Sequence, residues 1–299
     1  MTIQFWNHNS NFGDLLNELL WRQYIDIDKV EDMGIDIFGV GSLINRKTKI
    51  NFDREIYVMG SGGLKKFKPK WIGSAKIGWV RGPLTAEAIG YSRAYGIGDP
   101  AILFKGLENL NHNLKAEQLL VIPHWRTYAD FDFAILEKLS NIKFVDPRSN
   151  IDKILFEISN SKYILSESLH GAIMADAIGV PWAPIAMSYR FNDYKWMDWL
   201  LSISSGDRVV ESTPLYLTNN SSKSLIINQL ADKISYGKRS WLRPLKISQK
   251  DDVVLVLEKI IKIFKNEKNF YFSSPSLIDE QKSMMLERID WFKNAVGLR

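Results

Sequence analysis

Short β-type runs alternate with segments of helical periodicity through most of the chain, from residue 3 to residue 201. This alternation is typical of α/β folds, in which helices pack on the faces of a parallel sheet. It occurs twice, before and after a polar, asparagine-rich segment at residues 106–116 that we interpret as a linker. The sequence therefore predicts two α/β domains that face each other across a cleft, with ligands at the carboxyl ends of the strands.

The pattern divides the 299 residues into three predicted parts. In residues 1–112, strands are predicted at 3–6, 35–40, 55–59 and 77–80, and helices at 15–24 and 83–90. In residues 113–248, strands are predicted at 119–122, 143–145, 163–165 and 182–186, and helices at 131–139, 152–158, 169–178, 194–201 and 224–234. Residues 249–299 contain helices at 253–264 and 283–296, whose apolar faces suit packing back on the N-terminal domain or against another chain.

Composition and charge exclude several classes of protein. The chain has no cysteine, and therefore no disulfide framework, thiol nucleophile or cysteine-ligated metal. Its N-terminus does not read as a secretory signal, and no apolar stretch reaches the roughly 18 residues of a membrane span, so we expect a soluble, cytoplasmic protein. The formal net charge of +5 suits an ordinary solvated surface, or attraction for a phosphorylated donor or a lipid-diphosphate acceptor at the inner membrane face. Nucleic acid is disfavoured, because the short lysine cluster at residues 65–70 has no accompanying motif.

Two polar loops of the N-terminal half are candidates for ligand binding. The loop at residues 11–14 carries Asn11 and Asp14, and it is interpreted either as a helix cap or as a loop that brings polar groups to a ligand. The loop at residues 60–63 is rich in glycine, so that the backbone N–H groups around Gly62 would approach a phosphate or a sugar closely. A plain turn explains this second loop nearly as well, because it matches neither a Walker loop nor a dinucleotide fingerprint.

Arg81 ends the fourth predicted strand, directly before a helix that begins at Pro83. A guanidinium and a helix N-terminus both favour anions, and together they suit a bidentate grip on a carboxylate or a phosphate. The alternative is a structural ion pair with a carboxylate such as Asp99, which lies in a turn at residues 96–101 that we interpret as structural.

The most informative motif is Ser-Glu-Ser-Leu-His-Gly at residues 166–171. A helix is predicted to begin here, with Ser168 as its N-cap, and to stop at Gly179. His170 would then lie in the first helical turn, where the helix dipole lowers the pKa of an imidazole and favours the neutral form that acts as a base. The alternative is a histidine that is satisfied by a backbone carbonyl. His124 follows another strand and would face the same cleft, whereas His112 is expected to be solvated.

Residues 189–199 mix aromatic side chains with cations. Trp196 would stack on a sugar ring, and Arg190 and Lys195 would hold a diphosphate, while an amphipathic packing helix is the alternative. A serine nucleophile is unsupported, because no Gly-x-Ser-x-Gly elbow is present. The Asp-x-Asp triplets at residues 26–28 and 130–132 resemble the acidic motif of metal-using glycosyltransferases, but such triplets are common by chance. We predict no metal site and no cofactor.

Taken in order, these motifs resemble the polysaccharide pyruvyl transferase family. The resemblance spans roughly residues 5–205, and it is carried by residues 11–14, 60–63, 81–85, 98–101, 166–171 and 179–181. The segment 194–199 is more similar to the subgroup that acts on exopolysaccharide repeat units, whereas residues after about 206 carry no family motif. The resemblance implies two Rossmann-like domains of the glycosyltransferase-B type.

The resemblance also implies phosphoenolpyruvate as the donor and a pyruvate ketal, on a sugar of a lipid-linked or surface polysaccharide, as the product. Such chemistry needs an acid/base near neutral pKa, predicted as His170, and a cation for the carboxylate and the leaving phosphate, predicted as Arg81. The other predicted donor-binding residues are Ser168, Leu169, Gly171, Gly62, Asn11 and Asp14. The predicted acceptor-binding residues are His124, Arg190, Lys195 and Trp196.

Two other functions fit the same residues. The first is a nucleotide-sugar glycosyltransferase of the same fold, although no acidic residue that would clamp a ribose is identifiable. The second is a non-catalytic sensor of sugars or anions, which would tolerate the loss of His170 but not of the aromatic segment.

Overall fold

A computed structural model describes residues 2–4, 11–188, 191–203 and 252–298 of the chain. The strands in this part are β1 (Ile3–Gln4), β2 (Ile35–Phe38), β3 (Glu55–Met59), β4 (Lys76–Trp79), β5 (Gln118–Ile122), β6 (Ile142–Phe144), β7 (Ser161–Ser166) and β8 (Trp182–Pro184). The α-helices are α1 (Phe12–Trp21), α2 (Ile27–Asp32), α3 (Pro83–Ile89), α4 (Trp125–Asp130), α5 (Ala134–Lys138), α6 (Ile151–Ser159), α7 (Leu169–Ile178), α8 (Asp193–Ser202), α9 (Asp252–Lys265) and α10 (Pro275–Val296). The helix predicted at residues 224–234 lies outside the described residues.

The chain divides into two compact units. The described part of the first unit comprises residues 2–4, 11–109, 192–203 and 273–298, and that of the second comprises residues 110–188, 191 and 252–272. Helices α8 and α10 therefore belong to the first unit, although they follow the second α/β series in sequence. Helix α9 belongs to the second unit, where Val256, Leu257, Ile260 and Phe264 enter the hydrophobic core.

The first unit contains a parallel sheet with the strand order β1, β2, β3, β4. All four residues of β2 are buried, and only the first residue of β3 is exposed. Continuous burial is typical of parallel strands that are covered on both faces. Because the strands run in the same direction, the loops that begin at Gly39, Gly60 and Val80 leave the sheet at one edge, its carboxyl edge.

The second unit contains a parallel sheet with the strand order β6, β5, β7, β8. From β5 the chain moves to one side to form β6, and then crosses back to form β7 on the other side of β5. Parallel sheets bind ligands at such a reversal, in the crevice outside the carboxyl ends of the two central strands. Here the loops that begin at Pro123 and at Glu167 lie beside this crevice. The prediction of parallel α/β layers is confirmed.

Local sequence signals explain where two of the predicted helices begin and end. Helix α3 has Pro83 in its first turn and ends at Gly90, whose φ of 91° is readily adopted only by glycine. Helix α7 ends in the same way at Gly179, with a φ of 82°. Both predictions are confirmed.

The apolar pattern of the sequence predicts a buried stripe of Leu15, Leu16, Leu19 and Leu20 on α1, and this prediction is partly wrong. Leu16 and Leu20 are buried, whereas Leu15 and Leu19 are 41% and 47% exposed. Asn17 occupies the buried face instead, because its side chain accepts a hydrogen bond from the Val40 backbone N–H (2.7 Å) and donates one to the Val40 carbonyl (2.9 Å). A pattern of apolar residues cannot reveal a polar side chain that is buried to satisfy a neighbouring backbone.

Two acidic triplets turn out to include helix and turn caps. Asp26 is the N-cap of α2, a helix absent from the prediction, and its carboxylate accepts a hydrogen bond from Lys29 N–H (3.2 Å). Asp132 stabilises the turn before α5, where its Oδ1 accepts a hydrogen bond from Ala134 N–H (3.1 Å). The single helix predicted at residues 131–139 is replaced by α4 and α5, which are separated at Phe131.

None of the helices in the described part of the chain has the length and apolar character required to span a membrane.

Candidate active site

Arg81 lies at the carboxyl edge of the first sheet and is entirely buried, with 0% of its surface exposed. Its Nη1 donates to Ser42 Oγ (3.0 Å) and to the Gly41 carbonyl (3.4 Å), and its Nη2 donates to the Gly63 carbonyl (2.9 Å). Nη2 also lies 3.5 Å from Asp198 Oδ2. The guanidinium therefore joins the loops after β2 and β3 to helix α8. The structural ion pair that the sequence allowed is present with Asp198, and the charge of Arg81 also acts on Asp99.

The glycine-rich loop after β3 is shaped around this arginine. A Cβ atom on Gly62 would lie 2.3 Å from Arg81 Cζ, so only glycine lets the backbone pass so close to the guanidinium. The loop is tied to its neighbour as well, since Gly62 N–H donates to the Gly41 carbonyl (2.9 Å). Gly62 thus contacts Arg81 directly, and the loop is more than a plain turn.

Thr85 and Asp198 hold helix α8 against helix α3. Asp198 Oδ1 accepts a hydrogen bond from Thr85 N–H (2.8 Å), and its Oδ2 accepts one from Thr85 Oγ1 (2.6 Å). Thr85 Oγ1 in turn accepts from Gly63 N–H (3.0 Å). A Cβ atom on Gly82 would lie 1.9 Å from the Asp198 carbonyl oxygen, which shows how closely α8 approaches the start of α3. We call these four residues, Gly63, Gly82, Thr85 and Asp198, the threonine clamp.

Three further charges gather near the threonine clamp. Burial and, after it, the positive charge of Arg81 lower the pKa of Lys195 to about 8, whereas Asp14 and Asp99 oppose the shift. Burial raises the pKa of Asp14 to about 6, against the effects of Lys195 and of a hydrogen bond from Asn11. Burial likewise raises the pKa of Asp99 to about 6, against the charge of Arg81. Within the described residues, Lys195 Nζ forms no hydrogen bond or ion pair. This half-buried ammonium is suited to an incoming anion.

The remaining candidates of the first unit are placed as follows. Asn11 caps α1, because its Oδ1 accepts from Gly13 N–H (3.1 Å), and its Nδ2 lies 3.4 Å from Asp14 Oδ2. Trp196 is only 3% exposed and contacts Trp199 edge-on, as in the packing-helix alternative rather than as an open stacking surface. Arg190 lies outside the described residues.

Glu167 joins the loops around the crevice of the second unit, and it was missed at the level of sequence. Its buried carboxylate accepts hydrogen bonds from His124 N–H (2.9 Å), Met187 N–H (3.1 Å) and Ser188 Oγ (2.9 Å). Burial raises the pKa of Glu167, and these hydrogen bonds oppose the shift. One side chain thus fixes the loops that follow β5, β7 and β8.

His170 lies in the first turn of α7 with 2% of its surface exposed. Ser168 holds the N-cap position, but the prediction that its side chain caps the helix is wrong, because no such hydrogen bond forms. Ser166 Oγ donates to the Ser168 carbonyl instead (2.6 Å). A Cβ atom on Gly171 would lie 2.7 Å from Ser166 Oγ, so this glycine lets α7 begin close against the sheet. Leu169 is buried beside them.

His124 lies across the crevice from this motif, at the end of β5. It is half-buried and is the N-cap of α4, with Nδ1 accepting a weak hydrogen bond from Arg126 N–H (3.3 Å). The structure thus brings His124, Glu167 and the first turn of α7 together at the reversal of strand order. An anion that binds next to the backbone N–H groups of that turn would be stabilised by the helix dipole. No cluster of metal-ligating side chains occurs in the part of the chain that the structure describes.

Two residues of the candidate site, Glu167 and Asp198, were not predicted, because their signals in the sequence are weak. Glu167 stands directly after an apolar strand, where a carboxylate is expected to be buried only if several donors surround it. Asp198 lies inside an aromatic helix, 113 positions from its partner Thr85, and no local pattern links them. Both act through contacts between distant segments.

The chain has two parallel α/β units, each with buried polar groups at the carboxyl edge of its sheet. These features are typical of the class of α/β proteins that bind ligands at strand ends. Comparison with known sequences narrows this class, because the profile of the polysaccharide pyruvyl transferase family matches residues 4–189. The chain therefore belongs to the polysaccharide pyruvyl transferase family.

A curated relative is the succinoglycan biosynthesis protein ExoV of Rhizobium meliloti (strain 1021), which is 31% identical over 202 residues. The alignment covers 67% of this chain and 64% of the relative, so the chain spans slightly less than two thirds of that protein. No solved structure matches the chain. The family match includes Arg81, Glu167 and His170, but it ends before α8, which contributes Lys195 and Asp198.

Proposed function

We propose that this chain transfers the pyruvyl group of phosphoenolpyruvate to two hydroxyls of one sugar in an exopolysaccharide repeat unit, forming a ketal and releasing phosphate. Membership of the family and the similarity to a succinoglycan biosynthesis protein support the reaction class. The observation that carries the proposal is His170, in the first turn of α7 and beside the crevice between β5 and β7.

The reaction balances without a cofactor. A proton adds to the methylene carbon of the donor, which leaves an oxocarbenium-like centre at C2. One sugar hydroxyl attacks C2 and loses its proton. A second hydroxyl of the same sugar then displaces phosphate, which leaves with the bridging oxygen, and this hydroxyl also loses its proton. The net change is one ketal and one phosphate for each donor consumed.

His170 is proposed as the acid/base of these steps. A positioned imidazole near neutral pKa contributes on the order of 100- to 10,000-fold to a proton transfer. The N-terminus of α7 would stabilise the donor's charge next to it, through the backbone N–H groups of Leu169 and Gly171, whereas Ser168 N–H donates to the Ile122 carbonyl (3.3 Å) and fixes the start of the helix. Glu167 is a positioning residue in this scheme, because its hydrogen bonds fix the loops that carry His124 and His170.

In the first unit, the proposal gives different roles to the two cations, Arg81 and Lys195. Arg81 remains in the proposal, but all of its surface is buried and its Nη atoms are bonded to protein oxygens, so it acts by positioning the glycine loop around Gly62. Lys195 is the cation proposed to meet a phosphate of the acceptor. Asn11 and Asp14 remain proposed donor-binding residues, and His124 and Arg190 remain proposed acceptor-binding residues, whereas the buried Trp196 packs against Trp199 within α8.

The two-domain arrangement of the glycosyltransferase-B type, a cytoplasmic location and a lipid-linked acceptor belong to the same proposal. They follow from the family's implied properties and the expected donor.

Thermal unfolding with candidate donors distinguishes the proposed function from its rivals. We expect phosphoenolpyruvate to raise the melting temperature, because a ligand at 100 times its Kd stabilises the native state by about 2.7 kcal/mol. Nucleotide sugars should cause no shift. A shift with a nucleotide sugar alone would indicate a glycosyltransferase. A shift with phosphoenolpyruvate, but no phosphate release when a lipid-linked oligosaccharide is added, would indicate a sensor.

A further inference from the structure

Seven cations lie on the two long connections of the first sheet, and they form a surface that the proposed reaction does not use. The first connection joins β2 to β3 and the second joins β3 to β4. The cations are Arg46, Lys47, Lys49, Lys65, Lys66, Lys68 and Lys70, and all seven are exposed. We call these residues the basic patch.

The two connections are held side by side. Ile44 pairs with Gly63 in a parallel bridge, and Ile44 N–H donates to the Gly62 carbonyl (3.2 Å). Further along, the Arg46 guanidinium lies 5.1 Å from the centre of the Phe67 ring. Trp71 of the second connection belongs to a hydrophobic core, and Ile50 of the first connection packs against the same core. The cations of the two connections therefore belong to one surface.

The charge of the basic patch is not balanced locally. None of the seven cations forms an ion pair with any residue that the structure describes. The same stretches, residues 46–54 and 64–70, contain one carboxylate, Asp53, and Arg54 is already paired with Asp36. Without the seven cations the formal net charge of +5 would become −2, so the patch accounts for the positive excess of the chain.

Apolar side chains are exposed on the same connections. Leu64 is 39% exposed directly before Lys65, and Phe52 is 74% exposed in the first connection. Clusters of four to eight cations with exposed apolar side chains bind anionic phospholipid surfaces, with about 1 kcal/mol for each cation near the surface. A nucleic-acid surface would instead be expected to combine its cations with a recognisable binding motif.

We propose that the basic patch docks the protein on an anionic phospholipid bilayer. Leu64 and Lys65 follow Gly63 directly, and the Leu64 carbonyl accepts a hydrogen bond from Asn192 Nδ2 (3.1 Å) at the start of α8. Docking would bring the carboxyl edge of the first sheet, including Lys195, next to the bilayer surface. An acceptor carried on a lipid would be available there, and in this respect the inference rests on the proposed function.

Co-sedimentation with vesicles tests the docking, using the full chain without donor or acceptor. Wild type should bind phosphatidylcholine vesicles in which one third of the lipid is phosphatidylglycerol, and should not bind pure phosphatidylcholine vesicles. In K65E/K66E/K68E/K70E we expect the partition coefficient to fall at least about 100-fold at low ionic strength. The matched control is K115E/K138E/K153E/K268E, which reverses four exposed lysines of the second unit and should stay within about threefold of wild type.

Several results would overturn the proposal. They are the absence of binding by wild type, an equal loss in both quadruple variants, retained binding in the patch variant, and tighter binding to duplex RNA that displaces the vesicles. Circular dichroism and thermal unfolding are measured first, to check that both quadruple variants fold. Vesicle binding needs no turnover, so its failure is distinguishable from failure of the pyruvyl transfer. If both proposals hold, the patch variant should lose activity on a vesicle-bound acceptor and keep activity on a short, water-soluble one.

Discussion

Buried ionisable residues occur at the carboxyl edges of both sheets, and their environments differ. Glu167 accepts three hydrogen bonds from protein donors, which offset part of the cost of removing water from its carboxylate, although its pKa is still raised by burial. Asp99 is equally buried and accepts a hydrogen bond from Ala101 N–H (3.1 Å), and burial raises its pKa to about 6. A raised pKa means that ionisation of this carboxyl opposes folding.

Replacing Asp99 should therefore change the pH dependence of stability. Asp99 starts from an ordinary pKa of 3.8, so its contribution to stability is complete below about pH 4 and is lost as the pH rises through about 6. D99N has no such loss and can still accept a hydrogen bond from Ala101 N–H. Relative to wild type, we expect D99N to gain stability from pH 4 to pH 7, by up to about 3 kcal/mol.

Urea unfolding at several pH values measures this gain. The matched control is D132N, because Asp132 caps Ala134 N–H at the same 3.1 Å distance at which Asp99 caps Ala101 N–H, but it is exposed. We expect D132N to stay within about 0.5 kcal/mol of wild type at each pH. A difference between D99N and wild type that is constant with pH, or that shrinks as the pH rises, would contradict the account.

At the scale of elements, helix α8 is attached to helix α3 through polar contacts. Asp198 uses both carboxylate oxygens on Thr85, and Tyr194 Oη donates to the Leu84 carbonyl (2.7 Å). Burial and the nearby charge of Asp198 raise the pKa of Tyr194 to about 12, which keeps its hydroxyl protonated as a donor. The position of Lys195 thus depends on the threonine clamp.

Substitution of Thr85 separates its hydroxyl from its shape. T85V keeps the branched side chain but leaves Gly63 N–H and Asp198 Oδ2 without the hydroxyl, and we expect it to lose about 2–4 kcal/mol of unfolding free energy. T85S keeps the hydroxyl and loses one methyl, at about 1 kcal/mol. Denaturant unfolding measures both. Equal losses in the two variants would show that packing of the methyl, rather than the hydrogen bonds, holds α8.

Most of the regular elements could be predicted from the sequence, because their signals are local. The bounds of β3 and α7 were predicted to the residue, and glycine and proline marked the ends of α3. Helix α2 was missed because its six residues are too few for a periodic pattern. The partners of Arg81 and the role of Glu167 could not be predicted, since they depend on segments that meet only in the folded chain.

At the scale of the whole molecule, the chain enters the first unit three times. Residues 192–203 and 273–298 return to it after the second α/β series, and they supply Asp198, Lys195 and the buried Met285. The predicted division places residues 192–203 inside the continuous part 113–248, whereas a return of the last helices to the N-terminal domain is one of its two alternatives. The carboxyl edge of the first sheet therefore combines residues that precede the second unit with residues 192–203, which interrupt the second unit in sequence.

The central claim is that this chain forms a pyruvate ketal by acid/base chemistry at His170, and ketal formation can be observed directly. The protein is incubated with carbon-13-labelled phosphoenolpyruvate and a lipid-linked oligosaccharide, and the product is followed by NMR. We predict one labelled ketal for each phosphate released by wild type and by H112A, whose imidazole contacts only the Ser161 carbonyl among the described hydrogen bonds. H170A should be slower by a factor on the order of 100 or more. A rate for H170A close to that of wild type, or phosphate release without a labelled ketal, would contradict the account.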